Sequence, residues 1–267
     1  MKKLINTVLQ LLIFFFAWVL LIGVMPIPFK DPVLWRLAAE AEPLILLLAL
    51  TAMFLRFNRG TVHIPVREHA GRALASGTLS GILWIGLSAG ILLFSKQIVI
   101  TGKNEVDRLW IWILAVFLNV IMQELLIHGF IYEFLKARYN LPAAVVVTAA
   151  LFTFMHGGAF EAGVVPVLNV ATMCLFMTAL YEAEGSLIAP ILPHAIWNVT
   201  AAILLGMDSL ADDYPSVCTA KASANVLISG GKFKLAGSIV VLFLNIVFGL
   251  VFLWICVLRR KEVERTD

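Results

Sequence analysis

The chain has 267 residues, 61% of them hydrophobic and 14% charged, with a mean hydropathy of +0.96. Soluble domains are about 45–50% apolar and about 25% charged, so this composition excludes an ordinary soluble enzyme and points to an integral membrane protein. The net charge of +3 is too small to argue for nucleic-acid binding, and its basic residues bear on membrane orientation instead.

The first apolar run, residues 4–29, follows Lys2 and Lys3 and carries no formal charge. It is long for a signal peptide and lacks an A-x-A site, so it predicts a retained helix over about residues 5–25. The next candidate, 43–55, is shorter than the ~17–25 residues of a span, and is expected to extend back over Glu40 and Glu42 into the interface. Residues 73–95 form a clean span containing Gly86-x-x-x-Gly90, a helix-packing pattern. A long helix over 108–137 is interrupted by Gln123, Glu124 and His128. Residues 142–157 begin at Pro142, a good first-turn residue. Spans at 162–181 and 186–207 follow, separated by Glu182, Glu184 and Gly185. A polar stretch, 208–234, holds Asp208, Asp212 and Asp213, with Asp212 and Asp213 read as solvent-exposed loop acids. The last span, 235–258, is closed by Arg259, Arg260 and Lys261.

These elements predict an all-α, polytopic membrane helix bundle of about eight transmembrane helices. Lysines and arginines set its orientation. With the N-terminus inside, cytoplasmic segments hold twelve of them, among them Arg56, Arg59, Arg67, Arg72, Arg259 and Arg265, against eight outside. Both termini are therefore expected in the cytoplasm. Cys174 and Cys256 lie in apolar runs, and no CxxC or paired framework accompanies Cys218, so neither a disulfide scaffold nor a structural zinc site is indicated. No internal repeat or separate soluble domain is visible.

Five polar side chains stand inside these apolar stretches: Glu124, His128, His156, His194 and Asn198. Ionisable groups at membrane depth are expensive and usually face the bundle interior, where they mark function. Glu124 and His128, Phe152 and His156, and His194 and Asn198 are each four residues apart, so each pair shares a helix face. His156 lies about 14 residues beyond Pro142, roughly 21 Å along a helix, which allows the three pairs to meet at mid-membrane depth. A carboxylate there serves as a general base towards water, a histidine orients the water or shares its proton, and a second histidine with an asparagine amide donates to an oxyanion. Those roles match peptide hydrolysis by an activated water. A divalent metal such as zinc is the competing reading, with Glu124, His128, His156 and His194 as N and O ligands, although HExxH is absent.

The three motifs together resemble the family of CAAX prenyl proteases and bacteriocin-processing enzymes, intramembrane proteases often labelled metalloproteases. The family's E-E-x-x-x-R is Gln123-Glu124-Leu125-Leu126-Ile127-His128 here, its F-x-x-x-H is Phe152-Thr153-Phe154-Met155-His156, and its H-x-x-x-N is His194-Ala195-Ile196-Trp197-Asn198. The resemblance covers about residues 108–207. It implies a core at 108–207 carrying the motifs, preceded by N-terminal transmembrane helices at 1–107 and followed by an outer loop and last helix at 208–267. It implies that Glu124 and His156 activate water and that His194 and Asn198 stabilise the oxyanion. It also implies a peptide or protein substrate in or at the membrane, lipidated or a leader peptide, and a location in the bilayer of a bacterial plasma membrane. The departures are Gln123, where the family has its leading glutamate, and His128, where it has arginine. They leave a second expectation open: a catalytically impaired protein on the same scaffold that binds or regulates a partner. A transporter is a third, disfavoured by the missing repeats.

Overall fold

A computed structural model describes residues 2–58, 60–211 and 213–266, with side chains up to Lys261. Arg59, Asp212 and the Arg265 side chain lie outside the described residues. The chain is helical and membrane-embedded, as expected. Among the described residues, six helical stretches are long and apolar enough to span a bilayer: Lys2–Val24, Pro32–Phe57, Ala70–Phe94, Leu109–Arg138, Val164–Glu184 and Gly231–Lys261. Two shorter apolar stretches, Leu141–Met155 and Ile188–Leu204, complete the set. In chain order the elements are α1 (Lys2–Val24), α2 (Pro32–Phe57), α3 (Ala70–Phe94), β1 (Ile98–Lys103), α4 (Leu109–Glu124), α5 (Glu133–Arg138), α6 (Leu141–Met155), α7 (Gly157–Ala162), α8 (Val164–Glu184), α9 (Ile188–Trp197), β2 (Cys218–Ala222), α10 (Val226–Ser229) and α11 (Ile239–Thr266). The winding widens to a π-helix over Leu125–Tyr132 and again over Asn198–Leu204.

The chain forms two compact units. One comprises the chain up to Ile64 with Arg108–Thr148, and so holds α1, α2, α4 and α5. Its packing is aromatic: Phe14 stacks on Phe130 at 3.7 Å, and Phe54 meets Phe130 and Phe134 edge-on at 4.7 and 5.1 Å. Asp31 caps α2 by accepting from the Leu34 amide at 3.0 Å, and its other oxygen accepts from Arg108 at 2.7 Å. That guanidinium, ahead of the Leu34 amide, holds the Asp31 carboxyl below its usual range. Sequence alone places Glu40 near the interface. Here it lies within the body of a 26-residue helix and is buried, because α2 runs unbroken through Pro43 and continues the span N-terminally.

The other unit comprises Pro65–Asp107 and the chain from Ala149 onward. α3 and α9 pack at glycines: a Cβ on Gly77 would come within 2.7 Å of the Ala189 carbonyl, and one on Gly81 within 2.8 Å of Pro193 Cα. The expected pair, Gly86 and Gly90, is not the packing pair, since nothing lies within 4 Å of a Cβ on Gly86. The spacing is the same, but only the Gly77–Gly81 face meets a helix. Trp84 on α3 donates to Asn245 on α11 at 2.9 Å, and Asn245 donates to the Asn169 carbonyl on α8 at 3.0 Å. In hydrocarbon such groups must find protein partners, and here they cross-link three helices. At one end of this unit Glu184, 1% exposed, accepts from Arg72 at 2.6 Å and pairs with Arg259 at 3.0 Å. At the other end β1 pairs antiparallel with β2, from Ile98 opposite Ala222 to Lys103 opposite Cys218. This small sheet has no counterpart in the helix reading of the sequence, since each strand is a brief segment inside a connecting loop.

Candidate functional site

The first motif lies where α4 turns from α- to π-helical winding. Glu124 is the last α-helical residue and His128 sits inside the π segment, and both are fully buried. His128 Nδ1 and Glu124 Oε2 are 2.6 Å apart, so one proton is shared between carboxylate and imidazole across a single turn. The expected Glu124–His128 partnership is thus formed. π-Helical turns are rare and recur at functional sites because they re-aim side chains from one helix face.

Gln123, one residue earlier, points elsewhere. Its Nε2 donates to Asn119 Oδ1 at 2.5 Å, Asn119 Nδ2 donates to Glu40 Oε2 at 2.7 Å, and Arg36 donates to Glu40 Oε1 at 3.0 Å. The sequence reading missed Asn119 and Glu40. The one available signal was the four-residue spacing of Asn119 and Gln123; nothing local links Glu40 to either.

In the second unit, α6 ends at Met155 rather than running through 157, and His156 occupies the break before α7 with non-helical φ −92° and ψ 56°. Its Nδ1 lies 2.8 Å from the Phe152 carbonyl. A carbonyl oxygen only accepts, so Nδ1 carries the hydrogen and Nε2 is the basic nitrogen of the neutral ring. Phe152 packs against both histidines, with ring centroids 4.3 Å from His156 and 6.2 Å from His194. The second and third motifs are thereby brought together. His194 is buried on α9, and Asn198 opens the second π segment one turn later.

Trp197, between the two third-motif residues, stacks on Trp84 at 3.9 Å and donates to Asp208 Oδ2 at 3.0 Å. The Ser209 amide donates to Asp208 Oδ1 at 2.8 Å. Burial pushes the Asp208 carboxyl up to about 6, against the pull of Ser209, Trp197 and Lys234. Asp208 therefore anchors the motif helix from the adjoining loop, a role its position in a polar stretch does not reveal.

A metal centre needs three or four converging donors. Within neither unit do three or more His, Cys, Asp or Glu side chains gather as a ligand set among the described residues. Glu124 and His128 close on each other through a proton, and His156 Nδ1 is committed to a carbonyl. Neither unit by itself supplies a zinc ligand set among the described residues.

Fold and site together define an integral membrane protein with its ionisable motif residues turned inward from lipid. Residues 105–200 match the family model described as type II CAAX prenyl endopeptidase Rce1-like. The match spans all three motifs and agrees with the resemblance drawn from them. No curated protein and no solved structure matches the chain significantly.

Proposed function

We propose that the protein is an intramembrane endopeptidase that hydrolyses a peptide bond of a membrane-associated substrate, lipidated or a leader peptide, by attack of an activated water. The observation that carries this reading is His156: it stands at a helix break, half-buried, with Nδ1–H given to a carbonyl, which makes Nε2 the basic ring nitrogen. Water attacks the scissile carbonyl carbon while His156 Nε2 takes up its proton. His194 and the Asn198 amide hold the oxyanion with hydrogen-bond donors, the type of stabilisation worth most in a water-poor site. Collapse of the oxyanion breaks the C–N bond, and the proton returns to the leaving amine. Gln123 cannot serve as base, because an amide accepts hydrogen bonds but not a proton at neutral pH. Glu124, held by His128, is the first-motif acid to which the resemblance gives water activation.

Reconstituted protein with candidate peptides tests this. E124Q, H156A and H194A are each expected to lower turnover by at least ~100-fold, the usual range for acid–base groups. Unchanged cleavage in all three overturns the reading. The second reading, a non-hydrolytic binder on the same scaffold, is favoured by one observation: the leading acid of the first motif is an amide engaged with Asn119. Retention of a labelled peptide by native protein, without turnover, would establish it.

A further inference from the structure

The hydrogen-bonded series on α2 and α4 has a fixed polarity. The oxygen and nitrogen of an amide are told apart by the network they join, and this network is anchored at one end by an ion pair. Arg36 has only donors, so it holds the Glu40 carboxylate through Oε1 at 3.0 Å. Glu40 Oε2 is then an acceptor, and the Asn119 group 2.7 Å away must be its Nδ2. Asn119 Oδ1 consequently faces α4 position 123, and Gln123 must meet it with Nε2 at 2.5 Å. Two amides are thus oriented by one buried carboxylate. What remains is Gln123 Oε1, buried and without a hydrogen-bond partner among the described residues. A buried acceptor left unmatched carries an uncompensated desolvation cost.

We propose that Glu40 is a positioning residue for the reaction. Through Asn119 it sets Gln123 with its carbonyl oxygen reserved as acceptor for a donor hydrogen of a bound reactant, and it excludes a carboxylate at position 123. The orientation of the relay stands on the geometry alone; only the role given to Gln123 rests on the endopeptidase reading. Q123E by itself would set a carboxylate against Asn119 Oδ1, which is tolerated only if the new acid keeps its proton. The exchange E40Q/Q123E reverses the whole relay. The amide introduced by E40Q donates to Asn119 Oδ1, and Asn119 Nδ2 donates to the carboxylate introduced by Q123E.

The test uses the full-length protein in lipid nanodiscs. Infrared difference spectra against native protein should show a protonated-carboxyl C=O band gained in Q123E and lost again in E40Q/Q123E. Thermal midpoints should fall in both single variants and recover by at least half of the summed loss in the exchange. A band that persists in the exchange, or midpoint losses that simply add, overturns the relay, as does an exchange variant no better folded than its singles. On a peptide that native protein cleaves, E40Q should lower kcat by about tenfold or more with little change in KM, as expected when a positioned reactant is released. An unchanged kcat in E40Q overturns the assignment of Gln123 to a reactant. Absence of cleavage by every variant, with the infrared and thermal coupling intact, overturns the endopeptidase reading and not the relay.

Discussion

Asp208 and Trp197 illustrate how side chains other than the polar motif residues hold those residues in place. The indole of Trp197 is fixed on one face by Trp84 and at its N–H by Asp208. Burial raises the Asp208 carboxyl from 3.8 to about 6. The folded protein therefore holds this proton more tightly than the unfolded chain does. The sign follows from linkage: between pH 3.8 and about 6 the native state binds more protons, so stability falls as pH rises through that window and levels off above it. D208N removes the titrating group. Its thermal midpoint should lose this decline when measured in detergent from pH 4 to pH 7, while native protein keeps it. An identical slope in both would show that Asp208 is not responsible.

At the scale of elements, the placement of His194 depends on how closely α9 approaches α3. Gly81 faces Pro193, the residue immediately before His194, with no room for a Cβ. Small residues allow helix backbones to approach in membranes, where packing rather than hydrophobicity drives association. G81V should therefore push α9 away, lower stability by about 1–3 kcal/mol as other overpacking changes do, and reduce cleavage with it. G86A is the control: it adds a methyl where nothing lies within 4 Å, and replacing a helix-interior glycine is neutral to favourable. Equal effects of the two substitutions on the unfolding midpoint would refute this account. The sequence pattern that marks glycine packing is present twice on one helix, and only the neighbouring helix distinguishes the two copies.

At the scale of the molecule, one end of the second unit carries a cluster of ion pairs. Arg72, Glu184, Arg259 and Arg260 meet where α3 begins and where α8 and α11 end. Across the unit, the β1–β2 ladder joins the segment after α3 to the loop before α11, and Lys234 donates to the Gly206 carbonyl at 2.7 Å. The expected orientation puts the arginine-rich end in the cytoplasm. K232C and K261C, both at exposed positions, should react with a membrane-impermeant thiol reagent from opposite sides of sealed vesicles. The buried Cys174 and Cys256 should stay unreactive, with half-buried Cys218 as the background to subtract. Labelling of both engineered cysteines from one side would contradict the topology.

Membrane insertion was determined by the amino-acid sequence itself, because long uncharged runs have no other stable environment. So was the identity of the three polar motifs, because ionisable residues stand out against apolar helices. The Glu124–His128 pair was legible for the same local reason, a four-residue spacing on one helix. Tertiary structure alone decided the rest. It ended α6 before His156 and so set which ring nitrogen is basic. It chose Gly77 and Gly81 over Gly86 and Gly90, and it joined Glu40 to Gln123 across 83 positions of sequence through Asn119. Those outcomes depend on which helix faces meet and where backbone carbonyls fall short of partners, and neither is encoded in the spacing of residues along one helix.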